Sequence, residues 1–168
     1  QNKVYSPLPR SYQWADCSAF TNHLKLARKA RGVDLPKSYL KNPLIYQGGS
    51  DDFLSPRSPI PILDENWGVD LEAEIAVITD YIPMGSNIEE IKDKILLVMI
   101  ANDISLRNLV PEEIDKGFGF FQSKPSTSFS PVAISLDELE DSWSNGKLHK
   151  EISVNVNDIP LGRNLTGE

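Results

Sequence analysis

Apolar and acidic residues alternate along residues 70–78, and this pattern predicts a β-strand. Alternation would place Glu72 and Glu74 on one face of the strand, about 7 Å apart, beside small and apolar side chains. Burying two adjacent carboxylates is costly unless water or a cation reaches them. Two interpretations therefore stay open: half of a divalent metal site, or an edge strand that carries two ordinary surface glutamates.

A second pattern, apolar at every position from Ile95 to Ala101, predicts a strand that is covered on both faces. The run ends at Asn102-Asp103, so a carboxylate stands at the end of a central strand. Residues 44–46 and 152–156 are further predicted strands, and the turn signal after residue 156 indicates a hairpin. Residues 34–61 are rich in proline and predict loops.

Helical spacing of apolar residues over residues 18–31 predicts a helix, with Ser18 as N-cap and Gly32 as C-terminal cap. His23 falls on the apolar stripe and is expected to face the interior or a cleft, where a hydrogen-bonded core histidine is the ordinary alternative to a functional one. Shorter helices are predicted over residues 86–94, with a capping box at Ser86 to Glu89, and after Pro111.

Composition is typical of one globular domain over residues 1–168, with 40% hydrophobic residues. A net charge of −7 argues against nucleic acid or an anionic membrane as partner. One cysteine, and neither a signal peptide nor a long apolar span, favour a cytoplasmic setting. The start at Gln1 without methionine suggests that the chain is a piece of a longer one.

Four carboxylates stand out by their positions at strand ends, on the alternating strand or beside a helix start: Asp16, Glu72, Glu74 and Asp103. An all-oxygen set suits Mg²⁺, Ca²⁺ or Mn²⁺ and lacks the Cys and His ligands that favour zinc. Lys124 lies between an apolar run and a proline, where a surface lysine is the ordinary interpretation. The sequence contains no glycine-rich phosphate loop and no G-x-S-x-G motif.

Five motifs follow one another along most of the chain: Tyr12–Asp16 with Asn22-His23, Tyr46–Phe53, Asp70–Ala76, Ala101–Arg107 and Gln122–Pro125. Together and in this order they resemble the fumarylacetoacetate hydrolase family, especially its bacterial members. The E-x-E motif alone is common, whereas five motifs in order are specific. The resemblance implies a mainly β (α+β) fold, a mixed β-roll with short helices, here incomplete at the C-terminus.

The same resemblance implies a metal-dependent hydrolase that cleaves a carbon-carbon bond in a β-diketo acid. The favoured substrate is fumarylacetoacetate, which gives fumarate and acetoacetate in tyrosine breakdown, and the expected assembly is a homodimer. The implied metal is Mg²⁺ or Ca²⁺, with Mn²⁺ possible. The implied roles are as follows: Asp16, Glu72, Glu74 and Asp103 as metal ligands, His23 as the base that activates water, Lys124 beside the substrate oxygen, and Tyr46 and Arg31 as substrate contacts.

The sequence also departs from the family pattern. Val110 replaces an expected glutamine, and Leu26 stands where some relatives place the acidic partner of the histidine. Relatives with the same ligand set cleave acylpyruvates, decarboxylate oxaloacetate or isomerise muconates, and a non-catalytic metal-binding remnant is a further alternative. The segment that closes the site in relatives is missing, so we expect that residues 1–168 alone do not catalyse the reaction.

Overall fold

The computed structural model describes residues 3–30 and 32–166, and their fold is mainly β with short helices. The strands are β1 (Trp14–Cys17), β2 (Ile45–Gly48), β3 (Val69–Asp70), β4 (Ala73–Thr79), β5 (Ile95–Asn102), β6 (Ser105–Leu106), β7 (Ser128–Phe129), β8 (Ile134–Ser135), β9 (Trp143–Ser144), β10 (Lys147–Leu148), β11 (Glu151–Val156) and β12 (Ile159–Leu165). The α-helices are α1 (Thr21–Ala30), α2 (Ile88–Ile91) and α3 (Val110–Lys116), and 3₁₀ turns span Lys37–Leu40, Glu65–Trp67, Lys92–Lys94 and Asp137–Ser142. The predicted mainly β, α+β class is confirmed.

Strand β5 is the centre of the main sheet, which is antiparallel. Strand β4 pairs along one edge of β5, and the short strands β7 and β8 pair along the other. In this register Glu74 lies opposite Ala101, and Ala73 lies opposite Asn102. The start of β4 is therefore held beside the end of β5, where the sequence places Asp103.

The hydrophobic core lies on one face of this sheet. Ala76, Met99 and Ala101 are buried there against Phe53 and Phe129, and Trp14 packs on the same cluster. The three aromatic rings meet edge to face, with centroids 4.8 Å apart for Phe53 and Phe129 and 5.2 Å apart for Trp14 and Phe129. These aromatic side chains come from β1, β7 and a loop, so the core fixes β1 over the main sheet.

The opposite face of the sheet is only partly covered. Val98 is buried, but Leu96 and Ile100 on the same strand are 49% and 54% exposed. The prediction that β5 is covered on both faces is therefore wrong. A continuous apolar run shows that a strand lies in a sheet, but it does not show which of its faces receives a packing layer.

The helices are shorter than the sequence pattern suggests. Helix α1 begins at Thr21 rather than after Ser18, whose backbone N–H bonds to the Leu44 carbonyl instead. Helix α2 has its capping box at Asn87 and Glu90, one residue later than predicted. None of the helices in residues 3–30 and 32–166 combines the length and apolar character needed to cross a membrane.

Two tight turns join neighbouring strands, and the hairpin predicted after residue 156 is one of them. Asn145 and Gly146 join β9 to β10, and Asn157 and Asp158 join β11 to β12. All four residues have positive φ, between 50° and 72°. Positive φ at both central residues defines the type I′ turn, whose twist matches that of a hairpin.

Gly48 on β2 lies opposite Trp14 on β1, and a Cβ atom there would overlap the indole ring. Because that ring is packed between two phenylalanines, it has little room to move. We expect Gly48→Ala to lower the free energy of unfolding by about 1–3 kcal/mol. Gly49→Ala is the control, since its Cβ would meet only Asp51, at 3.7 Å. Urea unfolding of both variants measures the difference, and equal midpoints would contradict the prediction.

Candidate metal centre

The four predicted carboxylates come from four places in the fold. Asp16 lies on β1 opposite Tyr46 of β2, Glu74 lies on β4, and Asp103 follows β5. Glu72 lies between β3 and β4. The packing of β1 over the main sheet and the pairing of β4 with β5 together bring these side chains to one point.

The predicted continuous strand over residues 70–78 is interrupted before Ala73, because the chain changes partner there. Asp70 pairs with Ser105 of β6, whereas Ala73 pairs with Asn102 of β5. At the break the Glu72 carbonyl accepts the Asp103 N–H at 3.0 Å, and the Asn102 side chain accepts the Glu72 N–H at 3.1 Å. These bonds fix two carboxylate-bearing residues next to each other.

The result is a compact cluster of carboxylates. One oxygen from each of Asp16, Glu72, Glu74 and Asp103 lies within 4.8 Å of the others. Asp103 is completely buried and the other three are partly buried. Strand β4 is at a sheet edge, as one interpretation proposed, but its glutamates are not ordinary surface residues. A close all-oxygen set of this kind fits Mg²⁺, Ca²⁺ or Mn²⁺.

Lys124 is a cation that contacts two of these acids. Its Nζ donates to Glu72 Oε2 at 2.8 Å and to Asp103 Oδ2 at 2.9 Å, and its side chain is only 7% exposed. The interpretation as a surface lysine is therefore wrong. Arg107 approaches Glu72 from the other side, with Nη1 at 2.5 Å from Oε1, and it also holds Asp70.

Two hydroxyl groups orient the buried Asp103. Tyr46 donates to Oδ2, and Thr127 donates to Oδ1 at 3.0 Å. The Tyr46 ring packs edge to face on Phe120, and the Lys124 ammonium lies 5.3 Å from the Tyr46 ring centre. Asp103 is thus held by Lys124 and by two neutral donors in a water-poor environment, in which such bonds are strong.

The surroundings shift the pKa values of three of these acids, two upward and one downward. Burial and the neighbouring Asp16 and Asp103 raise the pKa of Glu74 to about 8. Burial and Asp103 also raise the pKa of Asp16 to about 6. For Glu72, burial acts upward, but the bonds from Lys124 and the charge of Arg107 lower its pKa overall. The cluster has more negative charge than its own cations neutralise, which is what a cation site requires.

Two predicted site residues remain, His23 and Arg31. His23 lies on the first turn of α1, but its side chain is exposed, and Leu24 is the residue that faces the interior. His23 therefore does not face the interior of the described residues, and its position in a cleft stays a prediction. Arg31, the loosely matched substrate contact, lies outside the described residues.

Sequence reasoning assigned no role to several residues that shape the site. Thr127 and Asn102 orient Asp103 and Glu72 from polar segments that resemble ordinary loops or strand ends. Arg107 belongs to a recognised motif, and that motif is the one signal that could have pointed to it. The contact of Glu113 with the chain before Lys124 has no sequence signature at all.

Comparison with known proteins decides the family. Residues 13–167 match the family model described as "Fumarylacetoacetate (FAA) hydrolase C-terminal". The chain belongs to the fumarylacetoacetate hydrolase family. The resemblance inferred from the motifs is confirmed, and membership of this family indicates a metal-dependent enzyme of hydrolase or decarboxylase type.

A solved structure supports the fold assignment. The crystal structure of a fumarylacetoacetate hydrolase family protein from Yersinia pestis CO92 matches with a TM-score of 0.72 and 17% sequence identity. The match covers 98% of this chain and 73% of the other one. The search of curated proteins gave no match. At this identity the similarity concerns the fold, and the choice of substrate rests on the site itself.

Proposed function

We propose that this chain provides the metal-binding and catalytic site of a hydrolase that cleaves a carbon-carbon bond in a β-diketo acid. The favoured substrate is fumarylacetoacetate, with fumarate and acetoacetate as products. The observation that carries the proposal is the cluster of four carboxylate oxygens within 4.8 Å, with a buried ammonium at its edge. Tyrosine catabolism is the corresponding biological setting.

Asp16, Glu72, Glu74 and Asp103 would hold the cation, either Mg²⁺ or Ca²⁺. When bound, a divalent cation polarises the carbonyl oxygens of a 1,3-diketone and stabilises the negative charge that develops during cleavage. The protein supplies the correct donor set, because carboxylate oxygens are the ligands that hard divalent cations prefer.

Hydrolysis requires a base, and His23 is our proposed base. It would take a proton from water, and the resulting hydroxide would add to the carbonyl carbon on the fumaryl side. The bond from that carbon to the central methylene then breaks, and its electron pair leaves with acetoacetate as an enolate. The enolate takes up one proton, so that one water is consumed for each bond broken.

Lys124 and Tyr46 would act on the substrate oxygens. Burial acts against the charged form of Lys124, but Asp103 and Glu72 outweigh it and raise the lysine pKa, so the ammonium stays charged at neutral pH. Two of its three N–H donors bond to Glu72 and Asp103, which leaves one for an oxygen of the substrate. Arg31 as a further substrate contact, and assembly into a homodimer, stay predictions.

The test is an assay of the full-length protein with fumarylacetoacetate, in which acetoacetate is separated and quantified. We expect turnover with Mg²⁺ or Ca²⁺ and none after EDTA treatment. An acylpyruvate and oxaloacetate serve as comparison substrates. A clear preference for either of these would overturn the proposed substrate. Metal binding without turnover of any β-keto acid would show a non-catalytic metal-binding domain instead.

A further inference from the structure

The carboxylate of Glu113 contacts a turn that lies eight to ten residues later in the chain. Its Oε1 accepts the N–H of Gln122 at 2.7 Å. Its Oε2 accepts the N–H of Phe121 at 3.0 Å and that of Ser123 at 3.1 Å, together with the Ser123 hydroxyl. One side chain of α3 thus collects three consecutive backbone donors and a hydroxyl.

A carboxylate that accepts several N–H bonds is strongly stabilised in its charged form. Burial acts to raise the pKa of Glu113, but the Ser123 hydroxyl and the three backbone donors lower it to about 2. Glu113 therefore stays ionised, and keeps these bonds, throughout the neutral range. The turn before Lys124 has a permanent anchor on α3.

The anchored turn leads directly into the metal centre. Ser123 is completely buried, and its carbonyl accepts the N–H of Leu106 in β6 at 2.8 Å. Lys124 follows it, and Pro125 then fixes the next φ angle. The backbone of Lys124 is therefore held from both sides, while its Nζ lies between Glu72 and Asp103.

We propose that Glu113 is a positioning residue: it clamps the turn of residues 121–123 onto α3 and so holds the Lys124 ammonium at the carboxylate cluster. Glu113 does not touch the cluster in the described structure, and it acts through Lys124 alone. Its effect on turnover rests on the proposed function. Its effect on Lys124 itself does not, and can be measured without substrate or metal.

The first experiment measures how fast Lys124 is acylated by acetic anhydride in the full-length, metal-free protein, with mass spectrometry of its peptides. In Glu113→Gln, an amide nitrogen replaces one carboxylate oxygen. Because this nitrogen is itself a donor, it cannot accept from the backbone N–H groups, and about half of the hydrogen bonds are lost. We expect Lys124 to react about tenfold faster in this variant than in the wild type. Ser123→Ala removes only the hydroxyl bond and should give a smaller increase, about threefold.

Glu112→Gln is the matched control, because Glu112 precedes Glu113 on α3 and its exposed side chain undergoes the same charge change. It should leave the labelling of Lys124 unchanged. Lys116, exposed on the same helix, should react equally in all variants and so serves as the internal standard for the reagent, whereas equal melting temperatures exclude global unfolding. An unchanged Lys124 rate in folded Glu113→Gln and Ser123→Ala would overturn the proposal.

The second experiment is a double-mutant cycle on turnover with Lys124→Met. Glu113→Gln alone should lower kcat about tenfold with less than a threefold change in KM. In the Lys124→Met background it should cause no further loss, since it acts only through Lys124. An equal loss in both backgrounds would show a general structural role and contradict the proposal. If the wild type has no turnover, the proposed function fails, whereas the labelling result still decides the role of Glu113.

Discussion

Glu74→Gln is expected to abolish the stabilisation of the protein by Mg²⁺ or Ca²⁺ and to raise the melting temperature of the metal-free protein. The first effect follows because one of four charged ligands is lost. Since residues outside the ligand set already contribute 10–100-fold to metal affinity, loss of a ligand should cost at least about 100-fold. Metal stabilises the folded protein by mass action, so a site with weaker affinity loses the metal-induced rise in melting temperature.

The second effect has the opposite sign. Burial and three neighbouring acids raise the pKa of Glu74 from 4.5 to about 8, and Asp16 is raised from 3.8 to about 6. Between about pH 4 and 8 these two carboxyls therefore hold more protons in the folded metal-free protein than in the unfolded chain. Their contribution to stability is most favourable at the acidic end of this window and falls as the pH rises through it. Glutamine at position 74 removes the larger part of this penalty.

The same protons must leave when a cation binds. We therefore expect metal affinity to increase with pH up to about 8, with proton release near pH 6.5. Calorimetry in two buffers of different ionisation enthalpy measures the protons released, and thermal melts with EDTA or excess metal measure the stabilisation. Glu138→Gln, at an exposed glutamate, should behave as wild type in both experiments. An unchanged metal shift in Glu74→Gln would mean that the cluster is not the cation site.

The sequence allowed prediction of the metal centre because its acids interrupt patterns that otherwise favour burial. Glu72 and Glu74 stand in an alternating strand, and Asp103 ends an apolar one. Charged residues at such positions need compensation, and the structure shows them gathered within 4.8 Å. Lys124 could be identified only through the family motif, since a lysine before a proline is usually exposed.

Other features depend on tertiary contacts that no local pattern encodes. The strand breaks before Ala73 because β3 and β4 pair with different partners. Within residues 3–30 and 32–166, the aromatic layer packs on one face of the sheet only. Ile100 lies on the other face and is therefore exposed. Glu113 contacts a turn up to ten residues later in the chain, whereas a capping box joins residues only three apart. No capping rule based on sequence spacing could therefore predict this contact.

His23→Ala in the full-length protein is expected to lower kcat by about 10²–10⁴, the usual cost of removing a general base. Metal binding should be retained, because His23 is not one of the four residues of the cluster. The exposure of His23 makes this test sharper than the sequence alone suggested. A buried histidine would confound loss of catalysis with loss of stability, whereas exposed substitutions usually change stability by only about 0.5 kcal/mol.

His149→Ala is the matched control, since His149 is the second histidine of the chain. It is exposed and hydrogen-bonded to Ser144, on the hairpin formed by β9 and β10. We expect wild-type kcat for this variant, and unchanged melting temperatures and metal affinity for both. Full turnover in His23→Ala would show that another group activates water. Neither substitution disturbs a buried contact. An equal loss of kcat in both variants would therefore show that the loss is not specific to His23 on α1.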